Sequence, residues 1–316
     1  MPETDVPAAP YRAALSPSRV KDFVQCPLLF RLRAVDRLPE PPSPAAARGT
    51  LVHTVLERLF DLPAPARNPD AALGLLDPAW AEMREQNPDV PAMFATPEAL
   101  AEWLEQARTL LGTYFRVENP QRLEPARREL SVEVELASGV LLRGFIDRVD
   151  VAGDGAVRIV DYKTGRSPKP QYSGDALFQL TFYGLMIWRL HGVIPRRLQL
   201  VYLGDERVLT MDPTEADLLA TEARIEFLWE QISRAARTGE FRPRTSRLCD
   251  WCSFQALCPA FGGTPPEVPA EGLARLLGAA RTESAAGPVL DDTVSVTAVA
   301  EESADAVADD AVTVGA

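Results

Sequence analysis

Apolar positions along the chain change period several times, and each change marks an element. Ser16-Pro17-Ser18 precedes a helical stripe of Val20, Phe23, Val24, Leu28 and Phe30, which predicts a capped helix through about residue 33. A Pro/Ala-rich loop over 39–47 follows. Gly49-Thr50 then opens a second predicted helix, 51–60, with Leu51, Val52, Val55, Leu56 and Leu59 on its buried side. Residues 61–120 read as irregular loops and helices, the clearest helix spanning 97–115. At residue 129 the period drops to two. Leu130, Val132, Val134 and Leu136 take one face and Glu129, Ser131, Glu133 and Glu135 the other, the signature of a half-buried strand. Turn residues Ser138-Gly139 and Gly153-Asp154-Gly155 bound two further strands, 140–151 and 157–163. Residues 175–190 read as helix, 197–203 as strand, and 215–238 as a long charged helix. The order is helices, a three-strand meander, a helix and another strand, with no internal repeat and no Walker A sequence, so no ATP motor is evident.

Composition trims this picture at both ends. Residues 1–14 are rich in Pro and Ala, and 262–316 lack apolar periodicity; both are expected to be disordered, leaving one folded domain over 15–261. The tail carries ten acids and two arginines, hence −8 of the chain's net −12. The low overall charge therefore argues only weakly against a polyanionic partner, and the tail is read as maintaining solubility. No secretory leader and no long apolar run is present, so a soluble, cytoplasmic protein without a membrane partner is expected.

The candidate chemistry lies in the meander. Asp147 stands near the end of one predicted strand, and Asp161-Tyr162-Lys163 ends the next. Residues two apart in a strand share a face, so Asp161 and Lys163 project together, in line with Val157 and Ile159. The lysine is notable because the 33 basic residues include only Lys21, Lys163 and Lys169 besides arginine. Two carboxylates and the Tyr162 carbonyl offer the hard oxygen ligands that Mg²⁺ or Mn²⁺ prefers, with Lys163 placed to orient or deprotonate a water. This pattern points to metal-assisted phosphodiester hydrolysis; a solvated Asp–Lys pair on a surface hairpin is the competing reading.

Four cysteines form the second constellation: Cys26 near the start, and Cys249, Cys252 and Cys258 in a C-x₂-C-x₅-C run. With no nearby histidine, the spacing fits a Cys₄ site holding either an iron–sulfur cluster or zinc. Arg242, Arg244 and Arg247 precede Cys249, suited to phosphate contacts or simply solvated.

Together these residues carry a family resemblance. Gly144-Phe145-Ile146-Asp147-Arg148-Val149-Asp150 followed by Val160-Asp161-Tyr162-Lys163-Thr164-Gly165 resembles two core motifs of the PD-(D/E)XK nucleases, in their RecB-like branch. Gly49 to Glu57, with His53, resembles the branch's upstream histidine helix. Gln179-Leu180-Thr181-Phe182-Tyr183 resembles its downstream Q-x-x-x-Y helix, and Glu129 falls near the acid that opens the first core strand. The cysteines resemble the iron–sulfur staple of AddB-type and CRISPR-associated relatives. The resemblance implies a restriction-endonuclease-like α/β fold, a mixed central sheet flanked by helices with a helical insertion. It implies a metal held by His53, Asp147, Asp161, the Tyr162 carbonyl and Glu129. Lys163 would act on the water, with Gln179 and Tyr183 supporting the site. It further implies a [4Fe–4S] cluster on Cys26, Cys249, Cys252 and Cys258, with structural Zn²⁺ as the alternative. The expected activity is a Mg²⁺- or Mn²⁺-dependent DNA exonuclease on single strands or ends, in DNA repair or recombination, with a separate helicase as partner. A non-catalytic iron–sulfur module that binds DNA ends is the alternative.

Overall fold

The computed structural model describes residues 14–169, 171 and 174–278; most of both predicted disordered ends, 1–13 and 279–316, lies outside the described residues. Helices α1 (Pro17–Gln25), α2 (Pro27–Phe30), α3 (Pro44–Leu59), α4 (Pro69–Gln86), α5 (Asp89–Ala92) and α6 (Pro97–Val117) come first. Strands β1 (Arg127–Glu135), β2 (Leu141–Val151) and β3 (Val157–Lys163) follow, then α7 (Gly174–His191), β4 (Arg197–Tyr202) and β5 (Arg207–Met211). Helices α8 (Glu215–Thr238) and α9 (Ala270–Leu277) complete the order.

Four helices start by one device: a short polar residue accepts a backbone N–H three residues on, and proline fills the first helical position. Ser16, Ser43, Asn68 and Thr96 do this for α1, α3, α4 and α6. Ser43-Pro44 thus starts α3 inside the segment expected to be loop, and Asn68-Pro69 starts an 18-residue helix, α4, within the stretch expected to mix loops and helices. The single helix expected through residue 33 is broken instead. Cys26 is extended (φ −162°, ψ 114°), because Pro27 disfavours helical backbone in the residue before it. The chain resumes as α2 and a π-turn, Arg31–Val35.

The five strands form one sheet in the order β1-β2-β3-β4-β5. β2 and β3 are antiparallel with Arg148 opposite Val160 and Val151 opposite Val157. β3 and β4 are parallel, with Asp161 opposite Leu200, and β4 and β5 antiparallel. The sheet is therefore mixed, as expected, with β5 an unanticipated edge strand. A parallel pair needs a crossover, and α7 supplies it between β3 and β4.

The described residues group into two compact units, where the sequence reading expected one domain. In the unit formed by 41–132 and 144–221, Val160, Tyr162, Val201 and Leu203 pack against α3, α4 and α6, with Trp80, Trp103, Leu111 and Tyr114 in the same core. Leu198, alternating with the residues that face this core, meets α7 at Gly184. The sequence-distant segments 14–40, 133–143 and 222–278 build the other unit among the described residues. There Leu15 bridges Leu142, and Phe30 lies between Phe23 and Phe241. Leu28, Leu29 and Leu32 enclose Phe254. The expected unstructured segment from 262 is ordered in part. α9 lays Gly272 on the π-turn, where a Cβ would stand 2.5 Å from the Val35 carbonyl oxygen, and buries Leu276. Arg31 reaches the Pro266 carbonyl and pairs with Asp36 at 3.1 Å. Among the described residues no helix is long and apolar enough to cross a membrane.

Gly144 carries a testable constraint. A Cβ there would lie 2.7 Å from Cε1 of Tyr183, itself only 6% exposed. Gly144→Ala is expected to destabilise the protein by about 1–3 kcal/mol through overpacking, read as a lower Tm; an unchanged Tm would show that the tyrosine ring yields freely.

Candidate metal centre

The β2–β3 register ends at Arg148–Val160, and the site occupies the gap beyond it. There the Asp147 side chain takes over from the ladder: its Oδ2 accepts the Tyr162 N–H at 2.6 Å. His53, from the middle of α3, brings its Nε2 within 3.0 Å of the Tyr162 carbonyl oxygen. A carbonyl can only accept, so this contact puts the proton on Nε2 and leaves the Nδ1 lone pair free for a metal. Nδ1 stands 3.5 Å from Asp147 Oδ2 and 3.9 Å from Glu129 Oε1. Ligand atoms of His53, Glu129 and Asp147 all lie within 4.8 Å of one another. Glu129 joins them through an unusual backbone, φ +43° in the middle of β1. Such a conformation costs a non-glycine residue about 1–3 kcal/mol and is tolerated where surrounding structure over-determines it.

Asp161 lies outside that trio. Its Oδ2 is 2.6 Å from Lys163 Nζ, and its Oδ1 accepts from Gln179 Nε2 at 2.9 Å. Gln179, near the start of α7, also reaches the Tyr183 hydroxyl one turn on, at 3.4 Å. The structure thus places every residue predicted for the acid–lysine site in one unit. His53, Glu129 and Asp147 converge, Tyr162 bridges them through its peptide groups, and Asp161, Lys163, Gln179 and Tyr183 form the adjoining arm.

Charge follows from this crowding. Burial, and then the neighbouring Asp161 carboxylate, push Asp147 up from an ordinary 3.8 to about 8. Burial and then the Asp147 charge raise Glu129 as well. Burial lowers His53 despite Asp161 and Glu129, keeping it neutral and able to ligate. Buried acids that repel one another beside a neutral imidazole match the donor set of a hard divalent cation, so the residues present fit Mg²⁺ or Mn²⁺.

A buried network that the sequence reading missed fixes Tyr162 from its other end. Arg148, 1% exposed, makes two 2.8 Å bonds to Glu118 and one to the Tyr162 hydroxyl. The Tyr162 hydroxyl in turn bonds Glu118 at 3.2 Å. Burial pushes Glu118 up, but hydrogen bonds and charge from Arg148 outweigh it and hold the carboxyl below its usual range. The available signal was an arginine between Asp147 and Val149 on a strand whose neighbouring positions are core. Arg128, equally unforeseen, lines the same pocket as His53, Glu129 and Asp147 and bonds Asp61 at 2.8 Å.

Residues 14–259 match the PD-(D/E)XK nuclease superfamily. The chain belongs to that superfamily. It is similar to the Gene 69 protein of Mycobacterium phage D29, 25% identical across 78% of this chain and 96% of the phage protein. The Gene 69 protein of Mycobacterium phage L5 is 32% identical across 42% of this chain and 44% of its own. A crystal structure of a candidate exonuclease from Eubacterium rectale covers 76% of this chain and 86% of its own, with a TM-score of 0.52 and 19% identity, a likeness of fold.

The other constellation of this PD-(D/E)XK chain lies in the other unit. Cys26, Cys249, Cys252 and Cys258 line one pocket with Leu28, Leu29, Leu32 and Phe254, and none forms a disulfide. Backbone N–H groups of Arg244 and Ser246 donate to Cys26 Sγ and Cys249 Sγ, each at 3.3 Å. Arg244 spends its guanidinium on the Val24 carbonyl, and Arg242 pairs with Glu240 at 2.8 Å. Among the described residues, no three cysteine sulfurs approach within 4.8 Å of one another.

The elevated Asp147 has a consequence for stability. The folded protein holds a proton that the unfolded chain has released, so the stability from this group is present below pH 3.8 and lost as pH rises through about 8. Metal-free protein is therefore expected to lose Tm between pH 5 and pH 9. Asp147→Asn should remove much of that loss, on the order of 2 kcal/mol at the alkaline end. Parallel melting curves for the two proteins across pH would contradict the assignment.

Proposed function

We propose that this chain is a Mg²⁺- or Mn²⁺-dependent DNA exonuclease of the RecB-like branch, acting on single strands or DNA ends. The convergence of His53, Glu129 and Asp147 beside the Asp161–Lys163 pair carries this reading. When bound, the metal supplies Lewis-acid polarisation of a phosphoryl oxygen and a more acidic water. His53, Glu129 and Asp147 would hold it, with Asp161 and the Tyr162 carbonyl at the adjoining edge. Lys163 Nζ, set by Asp161, donates to the attacking water and orients it toward phosphorus. The water gives one proton to solvent as the new P–O bond forms, and the leaving oxygen takes one from solvent as its bond to phosphorus breaks. Gln179 keeps Asp161 turned toward Lys163, and Tyr183 backs Gln179. A cytoplasmic, nucleoid-associated role in repair or recombination, with a separate helicase supplying strands, completes the proposal. The complete acid–lysine set supports catalysis over a purely DNA-end-binding role.

The cysteines belong to the same proposal, as ligands of a [4Fe–4S] cluster. A tetrahedral zinc with ~2.3 Å bonds would draw four sulfurs to about 3.8 Å from one another. A four-iron cube holds its thiolates farther apart, in keeping with four cysteines around one apolar pocket and no close sulfur trio.

Purified protein with Mg²⁺ or Mn²⁺ should degrade DNA and stop in EDTA. Asp161→Ala and Lys163→Ala should each slow cleavage at least about a hundredfold with Tm little changed; undiminished cleavage by both variants would remove the assignment. Anaerobically purified protein should be brown, absorbing near 400 nm, with about four irons per chain. Colourless protein carrying one zinc would replace the cluster with a zinc staple.

A further inference from the structure

The metal centre sets Glu129, Asp147 and Asp161 against the one lysine Lys163. A polyanion approaching such a surface gains little from long-range attraction, so affinity for a strand needs contacts that do not depend on charge. One side chain beside the centre offers such a contact. Phe145 lies in β2, two residues before Asp147, and is 57% exposed. Burial alternates along this stretch: Leu142, Gly144 and Ile146 are buried, whereas Arg143, Phe145 and Asp147 face outward. Gly144 is covered by the Tyr183 ring, and Ile146 is fully buried. Phe145 therefore shares a side of the strand with Asp147, about 7 Å along it. The exposed large apolar side chains described in this unit are Leu73, Phe145, Leu190, Val208 and Leu219. Phe145 is the aromatic among them, and it is the one on the strand that carries a metal-site acid.

We propose that Phe145 is the platform on which a substrate nucleobase stacks, next to the phosphate engaged at Asp147. This deepens the nuclease reading and rests on it for the placement of the phosphate. The ligand it selects is an unpaired strand or frayed end, whose base faces are free; bases inside a duplex already stack on their neighbours. Stacking tolerates every base, because each has a π-face, so the contact favours single-stranded character without reading sequence.

The test is binding of labelled single-stranded oligonucleotides, followed by anisotropy with Ca²⁺ in place of Mg²⁺. This readout does not require cleavage. Phe145→Ala should weaken binding by about five- to a hundredfold while melting with the wild type, and Phe145→Trp should retain affinity. Phe145→Leu, apolar but without a ring, should behave like the alanine variant. An abasic residue walked along the oligonucleotide should weaken wild-type binding at one register and leave Phe145→Ala indifferent there. Equal affinity of Phe145→Ala and wild type, or the same abasic profile for both, overturns the proposal. Phe145-dependent binding without cleavage in Mn²⁺ would instead remove catalysis and keep the platform.

Discussion

Three carboxylates brought to the end of one sheet repel one another, and the architecture around the centre answers that repulsion. Glu129, Asp147 and Asp161 share a neighbourhood with a single lysine, and burial strips away the water that would otherwise screen them. The protein answers with partners that carry no charge. Asp147 accepts a peptide N–H from Tyr162, Asp161 accepts from the Gln179 amide, and His53 remains neutral. These contacts, with the Lys163 ion pair on Asp161, fix the carboxyl groups in place, and Asp147 keeps its proton to about pH 8. The negative field is left for a cation to satisfy, and the protein tolerates lower stability in its absence.

The same tension explains the ionic network around the Tyr162 side chain. Arg148 lies next to Asp147 in sequence, yet its hydrogen bonds go to Glu118, Asp150 and the Tyr162 hydroxyl. A buried pair of this kind adds little net stability once desolvation is counted. What it supplies is registration. Tyr162 is gripped at its ring by Arg148 and Glu118 and at its peptide groups by Asp147 and His53. Its neighbours Asp161 and Lys163 are therefore presented on one face of β3. The helical core beneath, from Leu51 to Tyr114, holds α3 and hence His53 against that strand.

Legibility in the sequence followed the range of the interactions. Strict alternation over 129–136, and the turn-bounded β-branched run over 157–163, made the strands and the shared face of Asp161 and Lys163 readable, because that information is local. The Ser16-Pro17 cap was equally local. The break at Cys26 was readable in principle from Pro27 alone, but the apolar stripe running across it suggested continuity. α4 was obscured by Pro78 inside it, and β5 by being short and half-exposed. The partnership of Arg148 with Glu118 spans 30 residues and has no periodic signature. Glu129's left-handed backbone likewise arises only where the strand meets its surroundings. The ordering of 270–277 depends on Gly272 meeting a carbonyl more than two hundred residues earlier, a fit that composition does not register.

That last contact belongs to a unit assembled from three distant stretches of chain, and synthesis order gives it a consequence. On a ribosome, the described residues of the unit that carries the metal centre, which end at Thr221, emerge before the segment with Cys249, Cys252 and Cys258 exists. Until then Cys26, Leu28, Leu29 and Leu32 have no Phe254 to enclose and no Arg244 amide to accept. Cys26 and helix α2 must wait, apolar face uncovered, for residues more than two hundred positions later. A thiol and three leucines held open in this way form a vulnerable interval in the life of each nascent chain, and a strong reason for that end of the molecule to close quickly once its distant partners arrive.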